Sequence, residues 1–325
     1  MASVTLTESA KLAQDELVAG VIENIITVNQ MFASLPFDGI DGNALAYNRE
    51  LALGGAGIAG VGTVYDDGTD RNPIPGETAG AKAAATFTQV STPLTTISGD
   101  AEVNGLIQAT RSGHGNDQTA VQIASKAKHV GRIFQYMMIN GDSGNTNEFD
   151  GLLNLVSAGQ SRTTAGANGD LFTLSILDEL MDLVTVKDGV VDYFVMHARE
   201  RRTYRAALRS LGGASVSEVV QLPGGEEVIA YSGVPIFRND WIPQDQTVGG
   251  STDCTTIFAG TFDDGSRSNG IVGLTAEKAS GINVVDVGES ETKDERIWRV
   301  KWYSSVALFS DKALAAAPGI SPSGA

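Results

Sequence analysis

Cysteine and histidine are scarce in this 325-residue sequence, which contains one cysteine and three histidines. A single Cys254 cannot form a disulfide within the chain, so the fold cannot depend on one. We expect Cys254 to act as a small, partly buried hydrophobic residue and not as a nucleophile. Apolar residues make up 42% of the chain, the ordinary share of a globular protein with a hydrophobic core.

Long hydrophobic runs and an excess of basic residues are also missing. No stretch approaches the roughly 18 to 20 consecutive apolar residues of a membrane helix. Residues 1–8 lack the basic start and apolar core of a secretory signal, so we expect a soluble protein made in a cytoplasm, with no membrane partner. The formal net charge is −16, which disfavours general nucleic-acid coating because such binding depends on Lys and Arg.

Signature motifs of catalysis and metal binding are absent as well. The sequence contains none of the patterns H-E-x-x-H, C-x-x-C and G-x-S-x-G, and its histidines are dispersed at His114, His129 and His197. We therefore predict no enzyme activity, no catalytic residue, no metal site and no cofactor. The alternative is a hydrolase whose catalytic residues come from distant positions, which would be a compact monomer or dimer.

Some short motifs resemble ligand sites but lack the required context. The run Gly55–Gly60 matches G-x-G-x-x-G, yet a dinucleotide site needs a helix after the glycines, and here the strand-like Val61–Tyr65 follows. The aspartate-rich runs Asp66–Asp70 and Asp263–Gly265 lack the ligand spacing of a calcium loop. We interpret both aspartate runs as turns.

Apolar residues at three- and four-residue intervals predict helices. The clearest helix covers residues 117–140, and Gly141 ends it. A helix over residues 5–34 stops near Leu35, because a residue before proline disfavours the helical conformation. Two further helices are predicted at 173–187 and 197–211.

Strand composition and alternation predict strands further along the chain. The last of them has one buried face formed by Trp298, Val300 and Trp302. Residues 313–325, rich in small residues and proline, are predicted to fray. The predicted strands cover residues 193–196, 228–231, 234–237, 255–259 and 296–302.

Residues 51–85 contain many glycines and turn-forming pairs and few large side chains. Strand-like runs at Val61–Tyr65 and 85–90 predict a long two-stranded excursion with a flexible tip. Loops of this length are usually functional or contact a partner. Tyr65 and Phe87 are therefore our candidate subunit contacts in this segment.

A basic cluster interrupts the acidic background of the sequence. Such a cluster suits either phosphate binding or bidentate pairing with the carboxylates of a neighbouring subunit. We favour the subunit contact, because the chain is rich in carboxylates. The candidate residues, all on the helix predicted at 197–211, are Arg199, Arg201, Arg202, Arg205 and Arg209.

The order of these elements resembles that of the major capsid proteins of tailed bacteriophages, which have the Hong-Kong-97-like capsid fold. The resemblance covers nearly the whole chain. Besides the glycine-rich excursion and the long helix, it is carried by the phrases Leu35-Pro36-Phe37, Tyr47-Asn48-Arg49-Glu50, Ile139-Asn140-Gly141-Asp142, Phe149-Asp150-Gly151-Leu152, Phe194-Val195-Met196-His197, Gly233-Val234-Pro235-Ile236-Phe237-Arg238-Asn239-Asp240 and Ala307-Leu308-Phe309, and by the strand Trp298–Trp302.

The resemblance implies an α+β fold with an extended β-hairpin loop and a long spine helix. The implied parts are an N-terminal arm (1–50), the extended loop (51–96), a peripheral domain (97–170) with the spine helix (117–140), an axial domain (171–288), a return to the peripheral domain (289–318) and a flexible tail (319–325).

The same resemblance implies a function. The chain would self-assemble through pentamers and hexamers into the icosahedral head of a tailed phage, enclosing double-stranded DNA without sequence-specific binding. Its location would be the virion, with assembly in the cytoplasm of the bacterial host. Further implied partners are a portal, decoration or cement proteins, and a separate scaffold. An encapsulin-like nanocompartment shell, with enzyme cargo instead of a genome, is the main alternative, and another virion component such as a decoration protein is a further one.

Departures from the family pattern refine these expectations. The predicted arm helix starts within a few residues of Met1, so we expect a separate scaffold, or none, instead of a cleaved scaffolding segment. Lys82 is the only lysine in residues 51–96, and no motif supports lysine–asparagine cross-linking.

The energetics of the first third of the chain point to assembly. Ordering a residue costs about 1–2 kcal/mol, so ordering an arm and loop of about a hundred residues costs on the order of 100 kcal/mol. Their own glycine-rich contacts are too small to offset this, whereas burial against neighbours contributes about 25 cal/mol per Å². We therefore predict that residues 1–96 become ordered mainly on assembly.

Overall fold

The computed structural model describes residues 29–54, 84–111, 118–164, 166–185, 189–210, 218–222 and 225–322. Its helices are α1 (Gln30–Ser34), α2 (Gly105–Arg111), α3 (Gln118–Asn140), α4 (Leu152–Leu155), α5 (Leu174–Thr185) and α6 (Ala198–Ser210), with short 3-10 turns at Ala158–Gln160 and Glu277–Ala279. Its strands are β1 (Phe37–Ile40), β2 (Ala44–Ala52), β3 (Thr86–Pro93), β4 (Thr95–Asn104), β5 (Asp170–Leu171), β6 (Tyr193–Met196), β7 (Glu218–Gln221), β8 (Glu227–Tyr231), β9 (Val234–Arg238), β10 (Gln246–Val248), β11 (Ser251–Gly260), β12 (Ile271–Ala276), β13 (Asn283–Glu289), β14 (Glu295–Leu308) and β15 (Leu314–Ser321).

Long-range contacts divide the chain into two compact units. The described part of the smaller unit consists of residues 98–111, 118–130 and 284–301. The larger unit takes in the described residues of the ranges 29–97, 131–283 and 302–322. Helix α3 and strand β14 therefore each contribute residues to both units.

In the smaller unit, β14 pairs with both β4 and β13. Arg299 on β14 donates two hydrogen bonds of 2.8 Å to the carboxylate of Asp100 on β4. This bidentate geometry is the strong form of an arginine–carboxylate contact, and it lowers the pKa of Asp100 through the hydrogen bonds from Arg299. On the other side of β14, Arg296 forms an ion pair with Asp286 of β13.

The larger unit is built around an eight-stranded mixed sheet with the strand order β5-β15-β11-β6-β9-β8-β7, to which β10 adds through β11. Strand β6 is antiparallel to β11 and parallel to β9. All four of its side chains are buried, as expected for a strand covered on both faces. Helices α5 and α6 pack their apolar sides into one hydrophobic cluster with this sheet, through Ile176, Leu177, Leu180, Val184, Tyr204 and Leu208.

A second packing centre of the larger unit is aromatic. Phe32, Phe37, Phe134 and Trp302 contact one another with ring-centroid separations between 4.7 and 6.4 Å. The prediction that residues 1–96 become ordered mainly on assembly is therefore wrong for residues 29–40. Their aromatic and aliphatic side chains find a partner surface in their own chain, and this burial offsets the ordering cost.

Helix α1 and strand β1 belong to this aromatic centre. The side chain of Asn29 accepts a hydrogen bond from the Met31 amide and caps α1. The helix ends at Leu35, directly before Pro36, as predicted. The prediction of one helix over residues 5–34 is wrong at Asn29, whose backbone is extended because its side chain caps the helix that begins at Gln30, and residues 5–28 lie outside the described residues. Strand β1 then pairs in parallel with β12.

Strands β2 and β3 form a separate two-stranded antiparallel ribbon. This confirms the predicted strand at 85–90, but the ribbon begins at Ala44 and not at 51. The reason is that Leu45 and Tyr47 pack against a hydrophobic cluster of the larger unit, which fixes this part of the ribbon on its own chain. Residues 55–83, which hold the predicted strand Val61–Tyr65, the glycine motif, the Asp66 turn and Lys82, lie outside the described residues.

The predicted frayed tail is wrong for residues 314–321. These residues form β15, which pairs antiparallel with β11 and parallel with β5. Ala315 and Ala317 are fully buried and Ile320 is 1% exposed, because all three side chains pack into the hydrophobic cluster that α5 and α6 share with this sheet. The assignment of residues 289–318 to the peripheral domain is also wrong from 314 onward, since β15 joins the sheet of the predicted axial strands.

The other predicted helices and strands are confirmed within a few residues. Helix 117–140 is α3, 173–187 is α5 and 197–211 is α6, and the predicted strands correspond to β6, β8, β9, β11 and β14. Asp263–Gly265 forms a turn in which the Gly265 amide donates to the Asp263 carboxylate at 3.0 Å. Within the described residues, no helix combines the length and the apolar character required to cross a membrane.

Candidate subunit-contact surfaces

The arginine-bearing helix α6 begins directly after β6 and is capped by a histidine. The Nδ1 atom of His197 accepts a hydrogen bond of 3.2 Å from the Arg199 amide, and the His197 carbonyl accepts one from the Arg201 amide. Tyr204 fixes the buried side of the helix, because its hydroxyl donates to the Ala230 carbonyl on β8 at 2.8 Å. The first turn and the inward side of α6 are therefore held within the chain.

Arg199 is engaged inside its own chain. Its Nε lies 2.6 Å from Oε1 of Glu200, a carboxylate that is only 2% exposed. A second nitrogen of Arg199 donates to the carbonyl of Ile320 on β15 at 3.4 Å. Arg199 thus neutralises a buried acid and ties α6 to β15, and little of it remains for a partner.

Arg201 is half-buried beside other positive groups. Burial, the largest cause, lowers the pKa of Arg201, and the nearby charges of Arg205 and Arg238 lower it further. Its Nε is buried without a hydrogen-bond partner among the described residues. Arg238 differs, because its Nε and Nη2 atoms both donate hydrogen bonds to the carboxylate of Asp240.

The remaining arginines of α6 form one exposed row. Arg202, Arg205 and Arg209 are exposed and lie three and four residues apart, so they share one side of the helix. We call these three residues the basic stripe. Within the described chain, none of its guanidinium groups forms an ion pair.

The ribbon is fixed at one end and exposed at the other. The Tyr47 hydroxyl donates to the Leu308 carbonyl at 2.7 Å, and Arg49 Nε donates to the Phe309 carbonyl at 2.8 Å. Phe87, the candidate contact on β3, lies opposite Glu50 and is 65% exposed. The other candidate of this segment, Tyr65, lies outside the described residues.

Sequence reasoning missed further exposed apolar residues. Two leucines at the free end of the ribbon, Leu51 and Leu53, are more than 60% exposed, at 63% and 69%. In the smaller unit, side chains on α2 and on β13 are also exposed, by between 41% and 67%, and these are Leu106, Ile107, Val284, Val285 and Val287. The valines of β13 do not stand out in the sequence as an alternation of apolar and polar residues, because both faces of this strand are largely exposed.

Within the described residues, the surroundings of His197 and Cys254 contain no paired nucleophile and base. Nε2 of His197 lies 3.8 Å from Asp240, and burial lowers the pKa of His197. Among the described residues, no hydroxyl or thiol group hydrogen-bonds to this ring, whose Nδ1 contacts Gln244 and the Arg199 amide. Cys254 is fully buried and its Sγ contacts the Ser251 hydroxyl at 3.4 Å. In the described part of the chain, no group of three His, Cys, Asp or Glu side chains is placed to hold a metal ion.

Comparisons with known proteins identify the architecture. No protein-family model matches the sequence, and no curated protein matches it. The solved structure of the holo-SrpI encapsulin complex from Synechococcus elongatus PCC 7942 is similar, with a TM-score of 0.71 at 18% identity, covering 99% of this chain and 98% of that one. The capsid of cyanophage A-1(L) gives a TM-score of 0.68 at 10% identity, covering 98% of this chain and 99% of the other. The capsid of the native GTA particle gives 0.64 at 13% identity, with coverage of 98% and 99%. The chain therefore has the α+β Hong-Kong-97-like fold of phage major capsid proteins, as the sequence resemblance implied.

Proposed function

We propose that this chain is the major capsid protein of a tailed double-stranded DNA bacteriophage. In this proposal it assembles through pentamers and hexamers into an icosahedral head that encloses and protects the genome. The observation that carries the proposal is the fold, which the chain shares along nearly its whole length with phage capsids and with the capsid of the GTA particle. The protein acts as a structural subunit of the virion and not as an enzyme.

The exposed surface of a single chain supports a shell-forming role. Phe87, Leu51 and Leu53 give the free end of the ribbon an apolar surface that its own chain leaves open to water. A two-stranded ribbon is marginally stable alone, so contact with a neighbouring copy both covers these side chains and stabilises the strands. We assign Phe87, Tyr65 and the arginines of α6 to such contacts, except for Arg199, whose charge is already used within the chain.

The charge of the chain fits the proposed contents of the shell. A net charge of −16 does not attract a phosphate backbone, so packaged DNA would be enclosed without being bound in a sequence-specific way. In the proposal, a portal, a separate scaffold and decoration or cement proteins complete the particle, which is assembled in the host cytoplasm.

A second candidate is the shell of an encapsulin-like nanocompartment. The similarity to the holo-SrpI encapsulin complex, with a TM-score of 0.71, favours it. The two candidates share the fold and self-assembly and differ in what the shell encloses. Particles purified from the producing cells distinguish them: nuclease-protected DNA and attached tails support the phage head, whereas tailless cages that contain protein support the nanocompartment.

The shared part of both candidates is tested by expressing the full chain in bacteria. Size-exclusion chromatography followed by negative-stain microscopy should show closed, regular particles that elute in the void volume. A stable monomer or dimer at all concentrations and salt conditions would contradict both candidates and would favour the compact hydrolase.

A further inference from the structure

The basic stripe of α6 has no counter-charge in the described part of its own chain. Glu200 is the only acidic residue of the helix, and it is buried and occupied by Arg199. Arg205 also lies close enough to the half-buried Arg201 to lower the pKa of that guanidinium, so the positive charges repel one another. An anionic partner from outside the chain would relieve this repulsion.

Helix α5 presents the opposite charge. Asp178, Glu179 and Asp182 are exposed and share one side of the helix, and α5 contains no basic residue. We call these three residues the acidic stripe. Glu179 forms an ion pair with Arg162, whose guanidinium also lies 2.7 Å from the Asp170 carboxylate. Arg162 is therefore shared between two carboxylates and does not neutralise the acidic stripe.

The acidic stripe borders a cavity of about 600 Å³. Glu179 and Asp182 line it together with Arg162, the ion-pair partner of Glu179, and with Gln160, which is fully buried. The Gln160 amide nitrogen donates to the carbonyls of Leu183 and Lys312, but its Oε1 has no hydrogen-bond partner among the described residues. The cavity therefore combines carboxylates with an unused acceptor, which is the chemistry that a guanidinium group recognises.

The two stripes lie on two helices of the larger unit and do not pair with each other within the described residues. Both helices pack against one hydrophobic cluster. Tyr231 links them, because its hydroxyl donates to Asp178 at 2.6 Å and its ring packs against Tyr204 of α6 at 6.3 Å. Within the described residues, no ion pair joins the stripes, and the only member of either stripe that forms an ion pair is Glu179, with Arg162. A second copy of the same chain can match both.

We propose that the basic stripe of one copy docks on the acidic stripe of a second copy, with arginine side chains entering the cavity beside Glu179 and Asp182. This inference rests on the proposed shell-forming function and names one of its subunit contacts. Arginine suits the role because its planar guanidinium forms bidentate bonds to carboxylates. Nucleic acid is the less favoured partner, since the net charge of −16 repels a phosphate backbone, whereas a second copy offers the carboxylates of its acidic stripe.

The test is a charge exchange in the full chain. One variant carries Arg205→Glu and Arg209→Glu, a second carries Asp178→Lys and Asp182→Lys, and a third combines all four changes and so keeps the net charge of −16. The matched control, Lys278→Glu with Lys293→Glu, changes the charge by the same amount as the first variant at side chains that are 87% and 67% exposed. Circular dichroism establishes that each variant is folded, and sedimentation with microscopy measures the particles formed.

We expect each two-site variant to lower the yield of particles by about tenfold or more, and the four-site variant to restore it. The control should assemble like the parent. The assembled fraction of the parent should also fall as NaCl rises from about 0.1 M to about 1 M, because salt shortens the range of exposed charges.

Other outcomes overturn the inference in distinguishable ways. Normal assembly of both two-site variants, or failure of the four-site variant to recover, refutes the pairing while the proposed function stands. Particles of the arginine variant that form normally but lose bound nucleic acid assign the stripe to phosphate binding instead. If the parent chain forms no particles, the proposed function and this inference fail together.

Discussion

The hydroxyl of Tyr47 donates a hydrogen bond of 2.7 Å to the carbonyl oxygen of Leu308, a residue 261 positions later in the chain. The ring of Tyr47 packs edge-on against Phe309, with centroids 5.1 Å apart. This pair of contacts joins the ribbon to the end of β14. These contacts fix the first half of β2, and with it the ribbon, to the larger unit of its own chain.

We predict a small cost for removing this hydroxyl and a larger cost for removing the ring. Tyr47→Phe should lower the free energy of unfolding by about 1 kcal/mol, because the Leu308 carbonyl keeps Arg49 as a donor. Tyr47→Ala should cost more, since it also removes the packing against Phe309. Urea titration of the unassembled chain measures both, and equal losses in the two variants would contradict the role of the ring.

Phe87 should matter for assembly and not for the stability of the single chain. Because it is 65% exposed, Phe87→Ser should change the free energy of unfolding by no more than about 0.5 kcal/mol. The same change should reduce particle formation, since it removes apolar surface that we assign to a subunit contact. Thr88→Ser on the same strand is the control. Normal particle formation by Phe87→Ser would show that Phe87 is not a subunit contact.

The aromatic centre should dominate the stability of the larger unit. Phe134 is fully buried and its ring contacts Phe32, Phe37 and Trp302. Phe134→Ala should therefore lower the free energy of unfolding by about 3–5 kcal/mol. Tyr136→Ala, two residues along the same helix and 48% exposed, should cost far less. A similar loss for the two variants in denaturant titrations would show that this centre is not the stabilising core.

The last strand should be necessary for a stable sheet. Removing residues 319–325 deletes Ile320, which is 1% exposed, and part of the pairing of β15 with β11 and β5. We expect a loss of about 3 kcal/mol or more. Removing only residues 323–325 should be neutral within about 0.5 kcal/mol. Equal melting temperatures for the two truncated chains would show that residues 319–322 do not stabilise the sheet.

His197 should give the chain a dependence on pH between about 5.5 and 7.5. Burial lowers the pKa of His197 in the folded chain below its ordinary value, so in this window the unfolded chain binds more protons. The free energy of unfolding therefore falls as the pH falls through the ordinary histidine pKa, and it is fully restored above that value. His197→Gln should reduce the difference between the free energies of unfolding that urea titrations give at about pH 5.5 and about pH 7.5. An unchanged difference would show that other titratable groups cause the pH dependence.

Much of the fold could be predicted because its helices and central strands carry a strong hydrophobic pattern. The four consecutive buried residues Tyr193–Met196 and the periodic apolar face of α3 are local signals, and local signals are visible in a sequence. Strand β4 was missed although Ile97, Ala101 and Val103 alternate, because Gly99 and Asp100 interrupt the pattern. Strand β15 was missed because its alanines, Pro318 and Gly319 are typical of a loop, and only the neighbouring strands make them a buried strand.

The candidate contacts could be predicted only in part, for a different reason. The arginine cluster was visible because basic residues are rare in this chain. The acidic stripe was not, because carboxylates on the exposed side of a helix are the default in an acidic protein. What distinguishes Asp182 from other surface acids is the cavity beside it and the buried Gln160, and neither follows from sequence spacing.

The position of β15 also affects when the subunit is completed during translation. This strand is synthesised after the other fourteen described strands, yet it lies between β5 and β11. Residues 314–321 must leave the ribosome before β15 can pair with β5 and β11. Only then can Arg199 of α6 donate its hydrogen bond to the carbonyl of Ile320. The link between α6 and β15 therefore forms only after translation has passed Ile320.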